Sequence, residues 1–119
     1  MTRTVLITIT LLITLLASAD ALALRKGIKT KVYATLWDET LGGMANIKIP
    51  SDVWCAESDN GRGWVYFSTD GADLSPVVAE SNMRQAQLAL TRSSLITVYV
   101  DDSRRQGEIC LAYRTILTP

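Results

Sequence analysis

Hydrophobic and polar positions alternate strictly from Ile28 to Trp37. Ile28, Thr30, Val32, Ala34 and Leu36 fall on one face, and Lys29, Lys31, Tyr33, Thr35 and Trp37 on the other. Period two with β-branched residues predicts a single half-buried strand. DETLGG follows as a loop ending in a glycine pair, and Met44 to Ile49 alternates again until Pro50 stops it. VWCAE, around Cys55, either continues that strand past a bulge or begins another short one. SDNGRG carries the Asn60-Gly61 turn signal. Gly63 to Thr69 (GWVYFST) is the next strand, with Val65 and Phe67 on one face and Trp64 and Tyr66 on the other.

The period then changes. Ser75-Pro76 fits an N-cap and first helical position. Ala79, Met83, Ala86 and Leu90 recur at helical spacing, flanked by Val78 and Ala89, while Glu80, Arg84, Gln87 and Thr91 lie away from that stripe. This predicts one amphipathic helix of about four turns. Leu95 to Val100 returns to a strand, DDSRRQGE is read as the turn of a hairpin, and ICLAYRTIL is the last strand. Three strands, a helix and two strands (β-β-β-α-β-β) is the element order of a five-stranded OB-like barrel. An α+β sandwich built from the same elements is the alternative.

The first residues are of another kind. MTRTVLITITLLITLLASADALA has a charged start, an apolar run from Val5 to Leu16 and small residues after it. That is the layout of a secretory signal over residues 1–21, with cleavage fitting after Ala19 or Ala21. The run is shorter than the roughly 20 residues that span a bilayer, so no membrane span is expected after cleavage. Residues 22–119 then form one small OB-like domain, secreted or periplasmic.

Charge and cysteine content narrow the chemistry. Twelve basic and twelve acidic residues give a formal net charge of +0, with no histidine. A general polyanion binder is therefore not expected, and nucleic acid is a poor partner. The only cysteines, Cys55 and Cys110, pair most simply as one disulfide in an exported chain. A metal site would need more ligands, and no metal or other cofactor is expected.

Asp101, Asp102, Arg104 and Arg105 form the densest charged cluster. A hairpin turn needs polar residues and a glycine there for conformational reasons, and the arginines can neutralise the aspartates in solvent. Catalysis by paired carboxylates requires two groups flanking one bond. Adjacent residues on an extended chain point apart, and no spacing selects Asp38, Glu39 or Asp59 as a partner. The arginines also interrupt any calcium-loop pattern. The chain is therefore read as a non-enzymatic binding module. Its candidate ligand surface is the outer aromatic face, Tyr33, Trp37, Trp64 and Tyr66, with Trp54 a further member and Asp101 and Arg104 contributed by the neighbouring loop. Aromatic rings stack on apolar sugar faces while Asp, Asn and Arg bond hydroxyls, so a glycan or glycoconjugate is the expected partner. The same face equally suits a protein partner, as in an envelope or inhibitor-like protein.

QLALTRSSLITVYVDD followed by GEICLAYRTI resembles the C-terminal half of the pentameric binding subunits of bacterial AB-type toxins, most closely that of the subtilase-type cytotoxin. The resemblance covers Met83 to Ile116. It implies a secreted homo-oligomer, a pentamer with helices around a pore, and glycan sites on the barrel exterior. It assigns no individual sugar-binding residue.

Overall fold

The computed structural model describes residues 25–58 and 60–118; the expected signal segment, 1–21, and Asp59 lie outside them. The described chain is mainly β with one helix. Its elements are β1 (Arg25–Thr30), β2 (Val32–Asp38), β3 (Gly42–Lys48), β4 (Arg62–Tyr66), α1 (Pro76–Arg92), β5 (Ile96–Gln106) and β6 (Ile109–Leu117). The strands form one six-stranded sheet in the order β1-β5-β6-β4-β3-β2. All neighbours are antiparallel except β4 and β6, which run parallel.

This corrects the expected architecture of five strands in a closed barrel: the sheet is open and mixed, with six strands. The extra strand arises inside the segment from Ile28 to Trp37, which is interrupted at Lys31. Thr30 is buried, and its hydroxyl donates to the Lys31 carbonyl at 2.7 Å while accepting from Lys48 N–H at 3.1 Å. A side chain thus takes the place of ladder hydrogen bonds and divides the segment. β1 then pairs with β5 and β2 with β3, at opposite edges of the sheet.

A second irregularity follows at once. Val32 faces Ile47 and Ala34 faces Asn46, so Tyr33 is an extra, unpaired residue. Such a bulge reverses the facing of everything after it. Thr35 and Trp37 consequently lie opposite Ala45 and Gly43 on the core side, and Leu36, expected inside, is exposed opposite Met44.

The remaining patterning holds. Val65 and Phe67 are fully buried in the main core with Ile47, Ile96, Val98 and Val100. α1 covers that core through Met83, Ala86 and Ala89, with Leu90 partly buried against it and Ala79 buried, whereas Val78, expected to flank the buried stripe, is exposed. Ser75 caps the helix by accepting from Val78 N–H, with Pro76 at its start, and Ser93 ends it in the left-handed conformation (φ 53°). Buried Asn82 ties the helix to β6, its Oδ1 accepting from both the N–H and the hydroxyl of Thr115 at 3.1 Å. A smaller cluster of Met44, Tyr66 and Leu111 lies apart from the main core.

Cys55 and Cys110 are bonded, with Cα atoms 5.5 Å apart. The bond is buried and indicates an oxidising, extracytoplasmic environment. Among the described residues, no helix is long and apolar enough to cross a membrane.

Candidate functional site

Pro50 ends β3, and the segment 49–61 crosses to β4 without regular structure. Backbone bonds hold it: Ile49 N–H donates to Gly61 O, joining its ends, and in its middle Ala56 N–H donates to Glu108 O, both at 2.8 Å. Gly61 supplies the positive φ (75°) of the expected Asn60-Gly61 turn, and Ser58 Oγ donates to Asn60 Oδ1 at 2.8 Å. Gly63 permits the closest approach. A Cβ there would collide with the Ala56 carbonyl oxygen and lie 2.8 Å from Ile49 Cγ1. The disulfide fastens the middle of this segment to β6, beside the centre of the sheet.

Two cavities share this segment as a wall, with Ala56 and Glu57 lining both. The first, about 290 Å³, is also lined by Asn46, Ser58, Arg62 and Trp64. Trp64 is half-buried and stands opposite Asn46 in the β3–β4 register. The second, about 250 Å³, includes Trp54, Cys55, Arg105 and Glu108. Trp54 is 76% exposed, with the Arg105 guanidinium 4.9 Å from its ring centre. At the other end, Arg62 stacks 3.6 Å above Tyr33, the bulged residue of β2. Stacking fixes each guanidinium plane against a ring and leaves its N–H edge available. The surface therefore combines flat apolar rings, donors from Arg62 and Arg105, and acceptors from Glu57, Glu108 and Asn46. That set can stack on a ring and bond its hydroxyls. Among the described residues, no group of three or more His, Cys, Asp or Glu side chains is placed to hold a metal ion.

No protein-family model, curated protein or solved structure matches this chain.

The structure distributes the sequence-predicted residues unevenly. Tyr33 and Trp64 join the surface just described, the first through Arg62. Trp37 does not: the bulge turns it to the core side of the sheet, where it lines a cavity against α1. Tyr66 points to the same side as Trp64 but is buried, and its hydroxyl donates to Asp73 Oδ2 at 2.9 Å. Burial first, and then the Asp73 carboxylate, push its phenol well above the usual tyrosine range. It supports the face from beneath and does not present to a ligand.

Asp101 and Arg104 also depart from expectation. Strand β5 continues to Gln106, so the turn itself is only Gly107-Glu108, and the excess residues after Asp101 bulge out of the ladder. Asp101 is 2% exposed, accepts from Ser103 N–H at 3.0 Å and from Arg25 Nε at 3.2 Å. Burial raises its pKa, but the Ser103 bonds and the Arg25 charge outweigh that and hold it below the ordinary carboxylate range. Arg104 bonds the Asp73 carbonyl at 2.9 Å and pairs with its carboxylate. Asp38 is likewise occupied, accepting from the N–H groups of Thr40 and Leu41 at 2.9 Å.

Sequence reasoning missed Arg62, Asn46 and Glu57. Arg62 stood in a stretch read only as a turn, and Asn46 was one more polar position in an alternating strand. Glu57 becomes relevant only because the disulfide sets its loop beside β4.

Proposed function

We propose that this chain is an exported, non-enzymatic binding module that recognises a glycan through the surface from Tyr33 and Arg62 across Trp64 to Trp54. The carrying observation is the cavity of about 290 Å³ in which Trp64 adjoins Asn46, Glu57, Ser58 and Arg62. Its size suits one sugar ring, and its lining mixes one aromatic plate with neutral, acidic and basic hydrogen-bonding groups of near-balanced charge. The order of strands supports a finer reading of the fold as OB-like, with the first barrel strand broken at Lys31 so that its halves β1 and β2 border the two ends of the sheet. On the resemblance to toxin binding subunits, such modules would assemble as pentamers. The disulfide and the N-terminal pattern support export.

Intrinsic tryptophan fluorescence of the oxidised mature protein, titrated with soluble oligosaccharides, tests the reading. The expected result is a saturable shift with a component that is lost in Trp64→Ala while the far-UV spectrum and disulfide remain intact. A flat response across the panel, or a shift indifferent to Trp64→Ala, would refute it. A flat response would favour the second reading, a protein partner or subunit interface, which the outer face of α1 supports: Val77 is 79% exposed, Val78 44% and Leu88 41%.

A further inference from the structure

The geometry points to a second, separate ligand site in the groove between the end of β2 and α1, built to take a single pyranose ring on Trp37. The bulge at Tyr33 sets Trp37 on the core side of the sheet, directly opposite Gly43. Gly43 has no side chain, and a Cβ there would lie 2.9 Å from Met83 Sδ, so the helix comes down close to the sheet at this point. Trp37 stands at the edge of that contact and remains 62% exposed. Between it and the helix lies a cavity of about 280 Å³, lined by Trp37, Glu80, Met83, Arg84 and Gln87.

The lining is selective in its chemistry. Glu80, Arg84 and Gln87 rise at helical spacing along one edge, and each ends in a planar group able to form paired hydrogen bonds. Among the described residues, Glu80 and Arg84 form no ion pair and none of the three side-chain heads has a hydrogen-bond partner. Their charges cancel, which disfavours a strongly charged ligand. Carboxylate, guanidinium and amide together match vicinal hydroxyls, each of which donates and accepts. The indole offers the apolar plate against which the C–H face of a sugar ring packs, and the volume lies at the lower limit of ligand pockets, enough for one ring and not a chain. No residue lines both this groove and the Trp64 cavity, so the two sites are independent.

Trp54→Phe with Trp64→Phe leaves Trp37 as the sole tryptophan, since the chain has three. Titration of this oxidised variant with methyl hexopyranosides should shift and saturate Trp37 emission at millimolar sugar, and the acyclic polyol sorbitol should not. In the same background, Arg84→Ala with Gln87→Ala, both on the exposed side of the helix, should weaken the response about tenfold. No saturable response, an equal response to sorbitol, or an affinity unchanged by the helix substitutions would each overturn the proposal. Near-UV circular dichroism and a retained disulfide check that each variant is folded.

Discussion

Reduction of the disulfide is the most informative single perturbation, because the bond serves both fold and site. Cys55 and Cys110 are 55 residues apart in sequence. Closing a loop of that length removes unfolded-chain entropy worth about 4 kcal/mol at room temperature. A chain with this many ordered residues has a stability of about 5–14 kcal/mol, so the bond represents a large share of the whole. At about 4–8 °C per kcal/mol for a domain of this size, reduction should lower the melting temperature by about 15–30 °C. Paired thermal and urea melts of oxidised and reduced protein measure this, with Cys55→Ala/Cys110→Ala as the irreversible counterpart. The double variant should fall somewhat further, since Cys110 is fully buried and its sulfur leaves a void. Below the transition, reduction should also free the segment 49–61, so Trp54 emission should change before the helix signal melts. A drop of less than about 5 °C would refute the reasoning, showing that the loop gains its order from the Ala56 and Ile49 backbone bonds and owes little to the bridge.

Asp101→Asn should cost about 2 kcal/mol at neutral pH by removing a buried, charge-assisted acceptor from Ser103 and Arg25. Because the folded-state pKa of Asp101 is depressed, its contribution is complete above the unfolded carboxylate value and is lost as pH falls through the folded one; urea melts should show a shallower acid decline in the variant, and an identical decline would count against the assignment. Gly63→Ala should cost about 3 kcal/mol, since its Cβ meets the Ala56 backbone, whereas Gly61→Ala, in open space but at φ 75°, should cost about 1 kcal/mol; equal losses in urea melts would show that the close approach is not needed.

What the sequence made legible is what local chemistry decides. Ser75 and Pro76 fix the start of the helix regardless of the rest of the fold, and the Ala79–Met83–Ala86 stripe needs only one apolar surface to face. The alternation in β4 is likewise complete within five residues, and Val65 and Trp64 fall on the sides it predicts. The first segment behaves differently. Its alternation is unbroken from Ile28 to Trp37, yet the strand divides because Thr30, not the backbone, bonds Lys31 and Lys48. Period two carries no trace of a hydroxyl competing with the ladder. The charged stretch after Val100 fails differently. Asp101 looks like a solvated turn residue until Arg25, 76 positions earlier in the chain, is brought beside it.

The bulge at Tyr33 connects the error in the fold to the shape of the candidate sites. A regular strand would have set Tyr33 and Trp37 on one face, and with Trp64 they would have made a single outer aromatic patch. One unpaired residue separates them. Tyr33 stays outside, where Arg62 covers its ring at 3.6 Å, while Trp37 crosses to the helix side opposite Gly43. The same inversion exposes Leu36 and moves Thr35 inward, an exchange of apolar for polar burial that costs stability. Packing alone therefore gives no reason for the bulge. A requirement to divide the aromatic residues between two faces does, and it accounts for a tryptophan left 62% exposed beside a polar helix edge. The two proposed sites are in this sense one structural decision, made at Tyr33 and supported by Gly63 and Gly43, each of which lets a covering segment approach the core side of the sheet where a side chain would hold it away.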